Sequence, residues 1–164
     1  MTASVVTNLQ ILKPSRKAPM AGDVFAFRPK GRGYFFGRVV RTDAKMQYMA
    51  DSILLYLFAT ESATPQPPER LLVGDLLVPP LMTNRLPWSK GYFETVANRA
   101  FTPGERLPVH CFLDPSFKKY SRYWDDSERE LAEKLEPCGV YALHSFRTID
   151  DEVSEALGIP LVPD

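Results

Sequence analysis

The apolar residues of this chain fall into short runs separated by glycine, proline and charged residues, a pattern typical of β-strands. Asp23–Val40 holds two such runs on either side of a glycine-bearing loop, which predicts a β-hairpin. Ser52–Phe58 is almost continuously apolar and aromatic, as expected of a strand that is buried on both faces. This part of the chain is therefore predicted to consist mainly of strands.

Two Gly-Asp pairs mark the entries of predicted strands. Gly22-Asp23 precedes the hairpin, and Gly74-Asp75 lies within a second apolar run that predicts a strand over Leu71–Leu81. Glycine adopts backbone angles that other residues avoid, and aspartate can hydrogen-bond its own backbone two residues on, so the pair fits a tight entry. Shorter apolar runs predict further strands at Trp88–Ala97, Val109–Leu113, Tyr120–Trp124 and Val140–Leu143.

Two short helices are predicted near the C-terminal end. Ser127 and Glu130 have the spacing of a capping box, in which hydroxyl and carboxylate each bind a free backbone N–H. Thr148 and Asp151 give a second start signal, and an apolar stripe follows them. Gly158 stands where a glycine commonly ends a helix.

The predicted elements indicate a β-rich α+β fold with a strongly bent antiparallel sheet or a partly open barrel, and the two helices near its C-terminal end. Residues 21–164 are predicted to form a single binding domain. Residues 1–20 are predicted to be either a loosely held strand or a flexible lead-in, and Thr42–Ala50 is compatible with a turn of helix. Thr60–Glu69 contains a proline cluster and is predicted to be an exposed loop.

Composition supports one folded domain and excludes several classes of protein. The 164 residues are 45% hydrophobic, and 15 prolines argue against a helix bundle. No apolar stretch is long enough to span a membrane, and no secretory signal is visible, so we expect a cytoplasmic protein with reduced cysteines. Net charge is zero but uneven: residues 1–41 carry eight basic side chains and one acidic, giving +7, and residues 125–164 carry eleven acidic and three basic, giving −8.

Candidate catalytic and metal-binding residues are few. The sequence has no nucleophile elbow, phosphate-binding loop, dinucleotide fingerprint or His-Glu-x-x-His motif. His110 adjoins Cys111, but neighbours on a strand point to opposite faces. Cys138 and His144 could meet across a turn and would supply two zinc ligands at most, whereas a zinc site needs three or four from the protein. No catalytic residue, metal or cofactor is therefore predicted.

Several of these motifs resemble the immunity protein 26 family of bacterial polymorphic toxin systems. The matching motifs are Gly22-Asp23-x-Phe25, Gly37-Arg38-Val39-Val40, Gly74-Asp75, Trp88 and Gly91-Tyr92-Phe93. The resemblance runs from about Ala21 to Pro160 and implies an immunity protein that neutralises a partner toxin, in competition between bacteria, by tight protein–protein contact without catalysis. The resemblance implies a shared scaffold but no shared toxin-contact motif. Candidates for the contact surface therefore come from the charged groups of this sequence.

The densest group of carboxylates is the first candidate for a toxin-binding surface. Asp125, Asp126, Glu128 and Glu133 surround the predicted capping box. Such residues commonly complement a helix dipole, but they would also suit an acidic face, since toxins that act on nucleic acid are usually basic. The cognate toxin domain is the expected partner.

A basic hairpin offers the alternative surface. Its side chains combine cations with aromatic rings, as in nucleic-acid binders: Arg28, Lys30, Arg32 and Arg38 with Tyr34 and Phe35. A β-barrel module that binds nucleic acid or another polyanion through residues 28–38 is therefore the alternative function, and a small hydrolase is a third. Charged residues at a hairpin tip usually serve only to keep the tip in solvent and have no binding role. In addition, the zero net charge of the chain disfavours nucleic acid as the partner.

Overall fold

The computed structural model describes residues 6–46 and 51–164, so residues 1–5 of the predicted lead-in and residues 47–50 of the predicted helical turn lie outside the described residues. The elements in chain order are β1 Asp23–Phe27, β2 Phe35–Ala44, β3 Ser52–Leu57, a 3-10 turn Val73–Asp75, β4 Leu81–Thr83, α1 Leu86–Ser89, β5 Glu94–Asn98, β6 Cys111–Leu113, β7 Tyr123–Trp124, β8 Glu130–Leu131, β9 Cys138–Val140, β10 Leu143–His144 and α2 Phe146–Leu157. The β-rich α+β class is confirmed.

The larger sheet has six strands in the order β10-β4-β3-β2-β1-β5. All neighbours are antiparallel except β10 and β4. The predicted hairpin is confirmed, with Phe27 opposite Phe35 and Val24 opposite Arg38. The prediction for β3 is also confirmed, since every residue of Ser52–Leu57 is buried.

Both faces of this sheet are covered, which explains why β3 is apolar throughout. Ile53, Leu55 and Leu57 pack with an aromatic cluster and with α2 on one face. The alternate residues of β3 pack on the other face. In the aromatic cluster, Phe25 and Phe93 stack with ring centroids 4.4 Å apart, and Trp88 meets both edge-on at 5.2 Å.

A second, smaller sheet covers the other face. Its four strands have the order β8-β7-β6-β9, and the β6–β9 pair is parallel. Phe112 and Tyr141 from this part of the chain pack against Leu54 and Tyr56 of the larger sheet. Among the described residues the strands do not close into a barrel, and no helix there is long and apolar enough to cross a membrane.

Residues 6–20 run across the larger sheet and are attached to α2. Leu9 is 3% exposed and belongs to the main core. The carboxylate of Asp150 accepts the backbone N–H groups of Asn8 at 3.0 Å and Leu9 at 2.7 Å. The Asn8 amide also donates to the Pro160 carbonyl at 2.9 Å. This segment is therefore tied to the far end of the chain.

Two predicted elements are wrong, and the described start of the predicted helical turn, Thr42–Ala44, belongs to β2 instead. No helix begins at Ser127, because Glu130–Leu131 pairs as a strand with Tyr123–Trp124. The strand predicted over Leu71–Leu81 is a 3-10 turn followed by irregular chain, and β4 begins only at its last residue. The structure thus has one helix near the C-terminal end rather than two.

Two further predictions are confirmed with shifted bounds. Trp88 lies in the short α1, and the strand predicted there begins at Glu94. The last helix ends at Gly158 as predicted, in the left-handed conformation with φ 70°. It begins earlier than Thr148, because Ser145 caps it by accepting the Thr148 N–H at 3.1 Å.

Candidate functional site

Asp125, Asp126 and Glu128 lie on a tight turn between β7 and β8, and Glu133 follows β8; we call these four residues the acidic turn. The Asp125 carboxylate accepts the N–H groups of Ser127 at 2.8 Å and Arg129 at 2.9 Å. Glu128 has a positive φ of 66°, which reverses the chain. The acidic residues are therefore not presented on a helix start, and Asp125 is engaged in shaping the turn.

Asp126 points inward to a chain of polar side chains. It accepts a hydrogen bond from His110 Nδ1 at 3.2 Å and one from Arg41 at 2.9 Å. Because a carboxylate only accepts, Nδ1 is the donor to Asp126, and Nε2 on the other side of the ring is hydrogen-bonded to the Tyr56 hydroxyl at 2.6 Å. Burial would raise the pKa of the Asp126 carboxyl, but the bonds from His110 and Arg41 outweigh it and lower this pKa to about 2.

This polar chain connects the two sheets. Arg41 and Tyr56 belong to the larger sheet, whereas His110 and Asp126 lie beside strands of the smaller one. Tyr56 is 1% exposed and His110 is 5% exposed, so a solute has no direct access to the imidazole. Burial also raises the pKa of the Tyr56 hydroxyl, so this phenol stays protonated. The arrangement fixes the sheets rather than offering an acid–base group to a substrate.

Two of the four predicted toxin-binding carboxylates reach the surface. Glu128 is exposed and accepts the Tyr141 hydroxyl at 3.1 Å. Glu133 is exposed, and its carboxylate has no partner within residues 6–46 and 51–164. The acidic contribution to any contact surface here therefore comes from Glu128 and Glu133.

The four cations of the predicted basic surface are divided between two places. At the hairpin tip, Arg28 donates to the Arg32 carbonyl at 3.0 Å and lies over the Tyr34 ring at 4.8 Å. Arg32 pairs with Glu61 at 3.2 Å, and Lys30 is exposed. Arg38 is the fourth residue of β2 and contacts Phe101 and Glu105 rather than the residues of the tip. The structure therefore does not bring the four together.

Arg38 is a buried arginine, 8% exposed. Its guanidinium lies 3.7 Å from the centre of the Phe101 ring and pairs with Glu105 at 2.9 Å. It also donates to the Arg99 carbonyl. Its Nε–H is buried and has no acceptor among the described residues. These contacts thus fix the position of the Arg38 guanidinium and leave its Nε–H as an unused donor.

Around Arg38 the surface forms a groove, which we call the arginine groove. It consists of two depressions of about 450 and 350 Å³ that share Arg38, Glu105, Leu71 and Leu72. The chain segments that line it are 69–74 and 99–107, with Tyr56 and Phe58 from the sheet below. Its lining carries four arginines and two glutamates, a net charge of +2: Arg38, Arg70, Arg99 and Arg106 with Glu69 and Glu105.

The cysteines and His144 do not form a metal site in the described part of the chain. Cys111 and Cys138 are free thiols on paired strands, with sulfur atoms 3.1 Å apart. Burial and the hydrogen bond to Cys111 raise the pKa of Cys138 to about 12. Cys138 and His144 line the same depression of about 480 Å³, but His144 is bonded to Glu152 at 3.0 Å. No group of three potential ligands occurs among the described residues.

The His144–Glu152 pair makes stability depend on pH. Burial would lower the pKa of His144, but the bond and charge of Glu152 outweigh it and raise this pKa above 6.5. The pair therefore makes its full contribution to the stability of the folded protein below about pH 6.5, the pKa of His144 in the unfolded chain. This contribution disappears as the pH rises through the higher pKa of His144 in the folded protein. We expect Glu152→Gln to lose more stability at pH 6 than at pH 8, measured by denaturant unfolding.

Glu155 provides the matched control for that prediction. It lines the same depression and is exposed, and its carboxylate has no partner among the described residues. Glu155→Gln should lose no such pH-dependent stability. Equal losses for Glu152→Gln at pH 6 and pH 8 would show that the pair does not control this titration.

Comparison with known proteins gives one match. The model of immunity protein 26 matches residues 20–121, which is more than half of the chain. No curated protein and no solved structure is significantly similar to this chain. The match confirms the family that the motifs indicated, and it ends before Pro160, to which the resemblance was expected to extend. The arginine groove lies within the matched residues, and the acidic turn lies outside them.

Proposed function

This chain belongs to the immunity protein 26 family, and we propose that it protects its cell by binding one bacterial toxin that is encoded beside it. The family match is the observation that carries this proposal. Binding would occlude or distort the toxin in a stable complex, in the cytoplasm, and would need no metal or cofactor. A rigid scaffold suits this role, because preformed surfaces lose little freedom on binding.

We propose that protection is stoichiometric rather than catalytic. Support comes from the candidate acid–base groups, each of which is already used in the fold. His110 is bonded to Tyr56 and Asp126, and His144 is bonded to Glu152. Both imidazoles are buried, at 5% and 4% exposure. A catalytic acid or base needs a ring nitrogen that is free to meet a substrate, and both nitrogens of each imidazole are already hydrogen-bonded.

The test is co-expression with the neighbouring toxin. We expect growth to be restored and the two chains to purify as an equimolar complex. Protection should end once the toxin is in molar excess, because each immunity protein blocks one toxin molecule. An inactive toxin variant, expressed alone, controls for the burden of expression.

Two results would contradict the proposal in different ways. A growth defect that persists while this protein is abundant and folded would show that it does not neutralise the toxin. Full protection at a small fraction of the toxin concentration would show turnover and favour an enzyme. Thermal unfolding of the purified protein separates loss of function from loss of fold.

A further inference from the structure

We propose that the arginine groove is the toxin-binding surface and that it receives a toxin segment which presents a carboxylate beside apolar side chains. This inference rests on the proposed function and names the surface that performs it. It differs from the predicted acidic turn and shares only Arg38 with the predicted basic surface. Three observations support it.

The first observation is the state of Arg38 at the base of the groove. A buried guanidinium whose position is fixed by Phe101 and by the Arg99 carbonyl is preorganised for a planar anion. Its buried Nε–H has no acceptor among the described residues, although buried donors are normally paired. A toxin carboxylate that took the place of Glu105 would bind a guanidinium that still has one unused donor.

The second observation is the exposure of the carboxylate that now pairs with Arg38. Glu105 lies on the turn Thr102–Glu105, where its N–H donates to the Thr102 carbonyl at 2.9 Å. Its side chain is 37% exposed, whereas that of Arg38 is 9% exposed. Its carboxylate also accepts the Thr102 N–H at 3.1 Å. Because the exposed member of the pair is the one that would move, a toxin carboxylate can take its place while the buried Arg38 stays paired. Glu105 thus occupies the place where a partner carboxylate would bind.

The third observation is the rim of the groove. Arg70 and Arg106 are exposed and form no ion pair within residues 6–46 and 51–164. Leu72 is 55% exposed and Leu107 is 39% exposed beside them. Unpaired cations attract an acidic partner, and exposed leucines favour the apolar contacts of a protein. Single-stranded nucleic acid would instead call for exposed aromatic rings on which bases stack.

The experiment compares two double variants that remove the same charge. Arg70→Ser with Arg106→Ser changes the groove rim, and Lys17→Ser with Lys119→Ser changes exposed lysines elsewhere. Association with the immobilised, inactive toxin domain is measured at about 0.05 and 0.5 M salt. We expect about tenfold slower association and a weaker salt dependence for the groove variant, and less than about a twofold change for the lysine variant.

Glu105→Gln tests the groove in the opposite direction. Because it removes the competing carboxylate without shortening the side chain, we expect about twofold to fivefold tighter toxin binding. Glu128→Gln with Glu133→Gln tests the acidic turn in parallel and should leave binding unchanged. Thermal unfolding of each variant confirms that the fold is intact.

The outcomes separate the two proposals. If the wild-type protein does not bind the toxin, the proposed function fails and the groove proposal fails with it. If the wild type binds but both double variants lose affinity equally, or only the Glu128/Glu133 variant does, the groove proposal alone is wrong. If the groove variant keeps its toxin affinity but loses binding to a DNA duplex of about 20 base pairs, the groove serves nucleic acid instead.

Discussion

Replacing Asp150 with alanine should lower the free energy of unfolding by about 3–5 kcal/mol. The Asp150 side chain is buried, and it is the acceptor for the backbone N–H groups of Asn8 and Leu9. Alanine would leave two buried donors without partners, at a cost of about 1–3 kcal/mol each. For a domain of this size the melting temperature should fall by about 10 °C.

The design of this test uses neighbouring positions. Asp150→Asn keeps one acceptor oxygen, which can serve one of the two backbone N–H groups, so this variant should lose about half as much stability. Asp151→Ala removes an adjacent carboxylate that has no side-chain hydrogen bond among the described residues, and it should cost less than about 0.5 kcal/mol. Trypsin should also cut Asp150→Ala faster after Arg16 and Lys17, because the segment is no longer held. Equal stability of the Asp150→Ala and Asp151→Ala variants would show that this tie contributes nothing.

Replacing Gly37 with alanine should cost about 3 kcal/mol or more, because the sheet has no room for a methyl group there. An ideal Cβ on Gly37 would lie 2.5 Å from Phe25 Cε2 and 2.7 Å from the Tyr56 carbonyl oxygen. The ring could shift only by disturbing its stacking on Phe93, and the carbonyl belongs to the adjacent strand. Denaturant unfolding should show the loss as a lower midpoint with an unchanged slope.

Two variants make the Gly37 test specific. Gly74→Ala places a methyl group where nothing lies within 4 Å, and it should leave stability unchanged or slightly higher. Phe25→Leu shortens the side chain that the new methyl group would meet. The cost of Gly37→Ala should therefore be smaller in the Phe25→Leu background than in the wild type. Additive costs would mean that the clash with the ring is not the cause.

Local patterns predicted the elements whose sequence and environment agree. The hairpin was predicted from two apolar runs around a glycine loop. The strand β3 was predicted from its continuous apolar run, which matches its burial on both faces. The last helix ends where Gly158 can adopt a left-handed conformation. In each case the residues that form the element also determine its contacts.

The capping box at Ser127 shows where local patterns fail. Asp125 binds the same backbone N–H groups that a helix start would leave free, and it does so in a turn. Glu130 pairs with Arg122 at 2.6 Å rather than returning to Ser127. Antiparallel pairing across this turn adds contacts that a short isolated helix lacks. Tertiary pairing therefore overrides a correct local signal.

The second Gly-Asp pair fails for a related reason. Gly74 lies in a 3-10 turn, where the Asp75 N–H donates to the Leu72 carbonyl at 2.9 Å. Beyond this turn the Leu77 N–H donates to the Leu57 carbonyl at 2.8 Å, which attaches the segment to the end of β3. Leu77 and Val78 thus pack on the main core without forming a strand, whereas Leu72 stays 55% exposed.

The arginine groove could not be predicted from the sequence. Arg38 is close to the hairpin tip along the chain, but in the folded protein its guanidinium contacts Phe101 and Glu105. Arg70, Arg99 and Arg106 come from separate loops that meet only in the folded protein. No local spacing in the sequence indicates that these arginines form a group. Phe101, which lies beside them, does not stand in a recognisable motif either.

The tie between Asn8 and Asp150 also sets the order in which the protein can fold. It joins positions 142 residues apart, and such long-range contacts make folding slow because chain closure must come first. During synthesis β1 to β5 are made before α2, so the core face that Ile149 and Val153 cover stays open until the last helix arrives. We therefore expect the native fold to form only after α2 has been synthesised, with a delay set by chain closure rather than by the speed of translation.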